Sequence, residues 1–525
     1  MVLQKRSLDV MSAYSITEQR YLYEKTRELK QAYTNGDYTL LQQFKITDPT
    51  IGIYEVFLED STRTKESFRN AIEFHQVRGK IFDSNNSSFN KYESYADTFN
   101  MLTGYDNQIF IVRSTLEGVC TWLDSNAKAY TKRQGLPYQP IFINAGDGRH
   151  EHPTQEFLDQ FTFLEHNQRN TDTIHIALIG DLLHGRTTHS KVEGLRIYKH
   201  VTVDLIAPSI VMMPDYYIQQ MKEYGYTVRL FGSLDEYITT QHCATIWYFT
   251  RLQIERLGDD ILQYEGVLRE AITIKKEQLN KLDTGQVIFF HPLPRHKIYP
   301  EIPSFLDNTP LNGREKQSIN GYFMRIILLA ASAGVPYVCN GFTNTDRIIS
   351  PIENDRYKES TPKHHTHKHY SEGVMPIENG FVIDHIFCGG DIQMIKKRMS
   401  MIVKNLGLYG LGGERVSTST STGLTKGMIF CPNASIDDNQ IVQLAVLSPG
   451  CTLNTINNKK VIKKIKLQLP SLLHNISGTQ CNNIQCISHK KYHESVPPSF
   501  MKYGDLLKCS YCSHCFKYYE IREER

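Results

Sequence analysis

Short apolar runs alternate with segments of helical periodicity along residues 15–334. Runs rich in β-branched and aromatic residues predict strands, and a stripe of apolar residues at helical spacing predicts a helix. This alternation is typical of a parallel sheet, so the pattern predicts two α/β lobes with a cleft beside the carboxyl ends of the strands. The predicted strands are 53–60, 80–83, 108–112, 140–144, 174–179, 201–206, 226–230, 243–249 and 287–290, and the predicted helices are 15–35, 92–103, 118–133, 188–198, 216–224 and 319–334.

A polar segment interrupts the pattern after residue 343. Its centre, 358–370, is charged and poor in aliphatic residues, which is typical of a solvated linker. Four histidines in it could bind a transition metal adventitiously, but we interpret it as a flexible tether: His364, His365, His367 and His369. Order returns with a strand at 380–386 and a helix at 436–447. The predicted domains are 1–165 and 166–345 for the lobes, 346–373 for the linker, 374–470 for a third domain and 471–525 for a cysteine-rich tail.

Composition narrows the class of protein. The chain has 525 residues and a formal net charge of +3, from 59 basic and 56 acidic residues. This length predicts about three domains, and the balanced charge predicts binding to neither nucleic acid nor membrane. The start of the sequence lacks a signal-peptide apolar core, and the longest apolar run, 326–335, is too short to span a bilayer. We therefore expect a soluble, cytoplasmic protein.

Ser61-Thr62-Arg63-Thr64 lies where the first strand ends and a helix begins. A helix start leaves backbone N–H groups unpaired and carries the positive end of the helix dipole, which favours an anion. Arg63 adds the possibility of bidentate phosphate contact. The simpler interpretation is that Ser61 or Thr62 only caps the helix.

Further polar clusters follow the ends of other predicted strands: Arg113, His152 with Gln155, Arg186, Arg251 with Gln253, and His291 to Arg295. Several arginines directed at one cleft predict a polyanionic set of ligands. Asp147, His150 and His152 could instead ligate a metal, although Pro153 and the neighbouring glycines favour a shaped turn that presents His152. A dinucleotide enzyme is disfavoured because no G-x-G-x-x-G follows the strand that ends at Gly180.

Five motifs in this order resemble the catalytic chain of aspartate carbamoyltransferases. They are Ser-Thr-Arg-Thr (61–64), His-Pro-Thr-Gln (152–155), Gly-Asp-x-x-x-Gly-Arg-Thr-x-His-Ser (180–190), Thr-Arg-x-Gln (250–253) and His-Pro-Leu-Pro-Arg (291–295). The last motif separates the aspartate enzymes from the ornithine enzymes. The resemblance implies a two-lobed parallel-sheet carbamoyltransferase fold, followed by a fused regulatory chain with an α+β (ferredoxin-like) domain and a small zinc-binding β domain.

The resemblance also implies roles for residues. Carbamoyl phosphate would be held by Ser61, Thr62, Arg63, Thr64, Arg113, His152 and Gln155, with catalytic roles for Arg63, Arg113 and His152. A neighbouring subunit would supply catalytic Lys91 and either Ser87, which the family spacing favours, or Ser88. L-Aspartate would be held by Arg186, Arg251, Gln253 and the backbone carbonyls near Pro292 and Leu293. Shared sites imply a trimer or larger assembly, and the reaction requires no catalytic cofactor.

Two local departures from the family pattern stand out. Ser114-Thr115 replaces the family's His-Pro after the arginine, and Leu183-His184 replaces more polar or aromatic residues. Two alternative functions remain open from the sequence: a carbamoyltransferase for another amino acid, and a zinc-containing scaffold with a vestigial cleft. The presence of Arg63, Arg113, Arg186 and Arg251 weakens the scaffold interpretation.

The fused part resembles the regulatory chain in two regions. The nucleotide-binding residues implied for CTP or ATP are Asp384, His385, Lys426, Asn454, Val461 and Lys464, while a second basic position falls on Phe430 and the loop 414–427 aligns uncertainly. A retained structural domain without effector binding is an equal alternative.

Cys481-x4-Cys486 and Cys509-x2-Cys512 form two pairs suited to one structural Zn²⁺ per chain, with Cys515 as a spare.

Overall fold

The computed structural model describes residues 5–83, 93–240, 242–257, 263–282, 287–342, 357–359, 377–418 and 423–521. The chain divides into two compact units, 1–347 and 348–525. Among the described residues, no helix has both the length and the apolar character needed to cross a membrane.

The first lobe is built on a four-stranded parallel sheet in the order β2-β1-β3-β4. Register pairs Phe57 with Arg113 and Ser114 with Asp147, so the carboxyl ends of β1, β3 and β4 lie at one edge. The strands are β1 Gly52–Phe57, β2 Arg78–Ile81, β3 Ile109–Ser114 and β4 Ile141–Asp147, and the helices are Ile16–Asn35, Tyr38–Gln43, Thr62–His75, Tyr95–Gly104, Val119–Gln134 and Pro153–His166.

The second lobe has a five-stranded parallel sheet in the order β7-β6-β5-β8-β9. Its strands are β5 Thr173–Ile179, β6 His200–Ile206, β7 Thr227–Phe231, β8 Ile246–Phe249 and β9 Ile288–Phe290. The helices are Arg186–His189, Lys191–Gly194, Asp215–Glu223, Leu234–Ile238, Glu265–Ile272, Lys276–Leu279, Arg314–Ala333 and Pro336–Cys339. The single continuous helix predicted over 188–198 was wrong, because the chain here forms two four-residue helices, interrupted at Ser190, and a 3-10 helix, Leu195–Ile197.

The helix Arg314–Ala333 returns the chain to the first lobe. It packs against the helices Thr62–His75 and Pro153–His166, and most of its last three turns is buried. The predicted return of this helix is therefore confirmed. One hydrophobic core runs through both lobes, from Leu22 and Ile53 to Leu178 and Trp247. This shared core holds the carboxyl edges of the two sheets at a common cleft.

The second unit contains an antiparallel sheet in the order β10-β15-β14-β11-β13-β12. From β11 to β14 the element order is β-α-β-β-α-β, which is the predicted ferredoxin-like arrangement. The strands are β10 Tyr357–Glu359, β11 Gly380–Ile386, β12 Gly413–Thr418, β13 Thr425–Pro432, β14 Thr452–Asn457 and β15 Lys460–Leu467, and the helices are Ile392–Asn405 and Asp438–Leu447.

Two details of this unit differ from the sequence prediction. β10 lies inside the segment predicted as linker, and it pairs with β15 through Lys358 and Lys466. In the uncertain loop 414–427, residues 414–418 belong to β12 and residues 425–427 belong to β13, and these two strands pair antiparallel. The histidine-rich residues 364–369 lie outside the described residues.

The tail forms a small antiparallel sheet, consistent with the predicted β domain. Its strands follow the order β16-β17-β18-β19. They are β16 Leu472–His474, β17 Ser499–Tyr503, β18 Leu506–Cys509 and β19 Cys515–Phe516.

Candidate functional site

A cleft of about 940 Å³ lies at the carboxyl edges of the two parallel sheets. It brings together every candidate substrate residue of the first unit that the structure describes: Ser61, Thr62, Arg63, Thr64, Arg113, His152, Gln155, Arg186, Arg251, Gln253, Pro292 and Leu293. The candidates Ser87, Ser88 and Lys91 lie outside the described residues.

The anion-binding segment begins the helix Thr62–His75, with Ser61 as the N-cap residue. The Ser61 side chain makes no capping hydrogen bond, so the capping interpretation was wrong for this hydroxyl. Phe68, Ala71 and Ile72 bury one face of the helix in the core, which leaves its first turn at the cleft. The unpaired N–H groups and the hydroxyls of this turn therefore remain for an anion.

Positive charge is concentrated beside this helix start. Arg113, at the end of β3, is buried, and burial together with the neighbouring Arg186 lowers the pKa of its guanidinium to about 9. Glu59 offsets part of this charge: its carboxylate lies 3.1 Å from Arg113 Nε, 2.8 Å from Arg186 Nη1 and 3.6 Å from Arg256 Nη2. One carboxylate facing three guanidinium groups leaves the cleft with an excess of positive charge, which favours anionic ligands.

His152 is held as a neutral hydrogen-bond donor. It caps the helix Pro153–His166, and the backbone N–H of Gln155 donates to its Nδ1 at 3.3 Å. Burial and the nearby cations Arg113 and Arg186 keep its pKa well below the ordinary value. Because Nδ1 accepts, the proton of the neutral ring is on Nε2, which lies 3.5 Å from the hydroxyl of Thr64.

The second lobe supplies the opposite wall. Arg186 begins a short helix and donates from Nη1 to the carbonyl of Gly148 at 3.1 Å. Arg251 and Gln253 follow the end of β8, and the Gln253 amide donates to the carbonyl of His184 at 3.0 Å. His184 is itself buried and held by Asp181, with Nδ1 3.0 Å from its carboxylate. These contacts fix the loop that carries Arg186.

The His-Pro-Leu-Pro turn follows β9. The ring Nδ1 of His291 accepts the backbone N–H of Leu293 at 2.7 Å, and the backbone N–H of His291 donates to Gln317 Oε1 at 3.0 Å. Leu293 has a φ of +59°, and its peptide bond to Pro294 is cis. The turn is therefore specified by side-chain contacts as well as by its prolines.

Several cleft residues were missed by sequence reasoning. Glu59 stands two residues before Ser61 in the same loop, so its position after a strand was a usable signal. Arg256 and Arg325 carried no such signal. Arg325 is in the middle of the helix Arg314–Ala333, where it is buried and donates to the hydroxyl of Ser67 at 2.8 Å.

The candidate nucleotide residues lie on four strands of the second unit's sheet. Asp384 and His385 are on β11, Lys426 and Phe430 are on β13, Asn454 is on β14, and Val461 and Lys464 are on β15. Register places Asn454 opposite Lys464. Asp384 forms an ion pair with Lys426 at 2.8 Å, and His385 has a φ of +61° beside an irregularity in β11.

The tail brings Cys481, Cys486, Cys509 and Cys512 together, all of them buried and with sulfur atoms within 4.8 Å of one another. The sulfur atoms of Cys481 and Cys512 are 3.7 Å apart, and those of Cys486 and Cys509 are 3.9 Å apart. Cys515 is outside this group. These four sulfur atoms form a candidate metal site, and a metal held by all four would have no open position for a substrate.

Three family models match the chain. Residues 6–165 match "Aspartate/ornithine carbamoyltransferase, carbamoyl-P binding domain". Residues 372–468 match "Aspartate carbamoyltransferase regulatory chain, allosteric domain", and residues 473–522 match the "metal binding domain" of the same regulatory chain.

Curated relatives span the whole chain. Protein PyrBI of Treponema denticola is 49% identical, with 99% of this chain and 98% of the relative covered. Protein PyrBI of Thermotoga maritima is 46% identical, with 98% of each covered.

Solved structures resemble the first unit. Aspartate transcarbamoylase from Trypanosoma cruzi, in complex with N-(phosphonacetyl)-L-aspartic acid, is 27% identical with a TM-score of 0.55, covering 63% of this chain and 96% of that one. The catalytic subunit of M. jannaschii aspartate transcarbamoylase is 28% identical with a TM-score of 0.52, covering 62% and 97%. This chain belongs to the aspartate carbamoyltransferase family, as a fusion of the catalytic and regulatory chains.

Proposed function

We propose that the cleft transfers the carbamoyl group of carbamoyl phosphate to the amino group of L-aspartate, giving N-carbamoyl-L-aspartate and phosphate for pyrimidine biosynthesis. The observation that supports this is the meeting, in one cleft, of an uncapped helix start from the first lobe and arginines from the second lobe. Such a cleft suits two anionic substrates held in contact, and this proximity supplies much of the rate.

The phosphate of carbamoyl phosphate binds at the helix start. Ser61, Thr62 and Thr64 offer hydroxyls and backbone N–H groups, while Arg63 offers a charged fork. Arg113 contacts both the phosphate and the carbonyl oxygen.

The carbonyl oxygen gains negative charge as the amine attacks. His152 donates its Nε2–H to this oxygen without titrating near pH 7, because its pKa is held low by burial and by cations. Gln155 contacts the amino group of the carbamoyl group. Fixed donors at the developing charge lower the barrier.

Aspartate binds against the second lobe. Arg186, Arg251 and Gln253 hold its two carboxylates, and the backbone carbonyls of Pro292 and Leu293 accept from its amino group. The nitrogen lone pair forms the new C–N bond, the C–O bond to phosphate breaks, and the departing phosphate takes the amine proton. Since every bond change occurs between the two substrates, the residues act by binding, orienting and donating.

The family resemblance further suggests that a neighbouring subunit completes the site with Lys91 and either Ser87 or Ser88, in a trimer or larger assembly. Sedimentation velocity gives the assembly size. Mixing Lys91→Ala subunits with His152→Ala subunits tests sharing, because some mixed sites would contain neither substitution and would regain activity.

We infer that the metal of the four-cysteine site is Zn²⁺. Tetrahedral Zn²⁺ with Zn–S distances of about 2.3 Å requires sulfur atoms about 3.8 Å apart. The 3.7 Å and 3.9 Å separations support this choice. Metal analysis of the purified protein should find one zinc per chain.

We also infer that CTP or ATP binds the second unit's sheet. Lys426 and Lys464 supply positive charge, and Asp384 and Asn454 supply polar contacts. Aspartate saturation curves measured with and without each nucleotide test this inference. No shift in activity or in the thermal midpoint would favour a structural role for the domain.

The central test is a comparison of amino acids. With carbamoyl phosphate present, L-aspartate should yield its carbamoyl derivative, and L-ornithine should yield none above the uncatalysed rate. Preference for ornithine, or no product with either amino acid, would overturn the proposal.

A further inference from the structure

A lysine is completely buried behind the cleft. Lys191 has no exposed surface, and its Nζ lies 2.7 Å from Glu156 Oε2 and 2.8 Å from Asp159 Oδ2. It also lies 4.0 Å from the centre of the Tyr248 ring and 5.2 Å from that of Phe163. A buried charge is costly unless it is paired, so this cluster requires an explanation.

Asp159 is the centre of the cluster. Its Oδ2 accepts from Lys191 and from the hydroxyl of Tyr248, at 2.8 Å and 2.7 Å. Its Oδ1 accepts from the side-chain amides of Gln155 and Gln317, at 2.9 Å and 2.7 Å. An ionised carboxylate only accepts hydrogen bonds, so both amides must direct their NH₂ groups toward it.

This constraint determines what Gln155 offers to a ligand. With its NH₂ group held by Asp159, the free end of the amide is the carbonyl oxygen Oε1. Gln155 lines the cleft, and its Oε1 has no hydrogen-bond partner among the described residues. Oε1 can therefore accept a hydrogen bond from the NH₂ group of a carbamoyl group. A methyl group in the same place has no such hydrogen bond to donate.

Lys191 and Tyr248 hold the Asp159 carboxylate by its Oδ2, which fixes the direction in which Oδ1 faces Gln155. Removing the ammonium group of Lys191 would take away one of these two donors, so the carboxylate could turn away from Gln155. The amide would then be free to turn its NH₂ group toward the cleft.

We propose that Lys191 and Asp159 are positioning residues that make the cleft select carbamoyl phosphate over acyl phosphates that lack the amino group. This inference rests on the proposed function, in which Gln155 contacts the carbamoyl amide. Acetyl phosphate is the matched probe, because it replaces NH₂ with CH₃ at nearly the same size.

The test uses the full-length chain with the substitution Lys191→Met. The inhibition constant of acetyl phosphate is measured in competition with carbamoyl phosphate. The readout is the ratio of this inhibition constant to the KM for carbamoyl phosphate. We expect this ratio to fall by about tenfold to about 100-fold, as for one lost or reversed hydrogen bond.

Arg229→Met is the control, because it also removes a cation that is paired with a buried carboxylate. Arg229 pairs with buried Asp204 at 2.6 Å in the same lobe, and neither residue lines the cleft. This variant should lose stability and keep the wild-type ratio.

Asp159→Asn covers the case in which Lys191→Met does not fold. It is isosteric and retains Lys191 beside Glu156, but an amide can donate as well as accept, so Gln155 loses its fixed orientation. A wild-type ratio in folded Lys191→Met, or in Asp159→Asn, would overturn the inference. Failure of the wild-type protein to form carbamoyl aspartate would instead count against the proposed function itself.

Discussion

Gly146 lies at the end of β4, between the groups proposed to hold the two substrates. Its φ is +114°, a conformation that side chains of L residues rarely adopt. A Cβ at this position would lie 3.2 Å from Arg113 Nη1, 3.2 Å from His152 Cδ2 and 3.3 Å from Arg186 Cζ. Gly146→Ala therefore adds one methyl group against three proposed ligand residues.

The magnitude follows from these distances. Each neighbour must move by a few tenths of an ångström to restore an ordinary contact. A misplacement of 1 Å at a reacting centre costs about 100-fold in rate, so the smaller shift should lower kcat/KM on the order of tenfold for both substrates. The backbone conformation adds about 1–3 kcal/mol of strain to the folded state.

Gly135→Ala separates strain from contact. Gly135 ends the helix Val119–Gln134 with a φ of +65°, and a Cβ there would meet nothing within 4 Å. Steady-state kinetics and urea unfolding of both variants give the comparison. The control should lose about 1–2 kcal/mol of stability with unchanged kcat/KM. A folded Gly146→Ala enzyme with kcat/KM within twofold of wild type would refute the reasoning.

Three further predictions concern aspartate binding, pH and the metal. Arg251→Ala removes one charge-assisted contact, so it should raise the KM for aspartate by about 10-fold to 100-fold and leave the KM for carbamoyl phosphate near that of the wild type. Unchanged aspartate affinity in steady-state kinetics would contradict the assignment of Arg251 to aspartate binding. Burial lowers the pKa of His75 to about 4, so the unfolded state binds a proton below pH 6.5 that the folded state does not. The stability that neutral His75 contributes is therefore present above pH 6.5 and is lost as the pH falls toward 4, by about 3 kcal/mol. Urea unfolding of His75→Gln over the same pH range should lack this loss. Removing the metal by chelation or by Cys509→Ser should unfold the tail while carbamoyl transfer persists; activity lost in proportion to metal, with the assembly intact, contradicts a structural role.

Strand ends were the most predictable feature. Apolar runs stop and polar motifs begin at Arg113, Gly180, Thr250 and His291, and in a parallel sheet these ends meet at one edge. The positions of the main cleft residues followed from this rule without any knowledge of helix packing.

Features that depend on tertiary contacts were missed. The helix Pro153–His166 is buried on every side over residues 153–164, so its polar residues pack against partners such as Lys191 that lie far away in the sequence. The segment 186–197 is divided into three short helices where the Ser190 hydroxyl accepts the backbone N–H of His152 and Gly194 lies against Glu156. β10 joins its sheet through backbone pairing, which leaves no hydrophobic pattern in the sequence.

The central claim is that one cleft holds both substrates in contact. A crystal structure of this protein with N-(phosphonacetyl)-L-aspartic acid tests it most directly, because that molecule joins the two substrates in one ligand. We predict density with the phosphonate at Ser61 to Thr64 and the two carboxylates at Arg186 and Arg251. Density elsewhere, or a reversed orientation with the carboxylates at the helix start, would contradict the account.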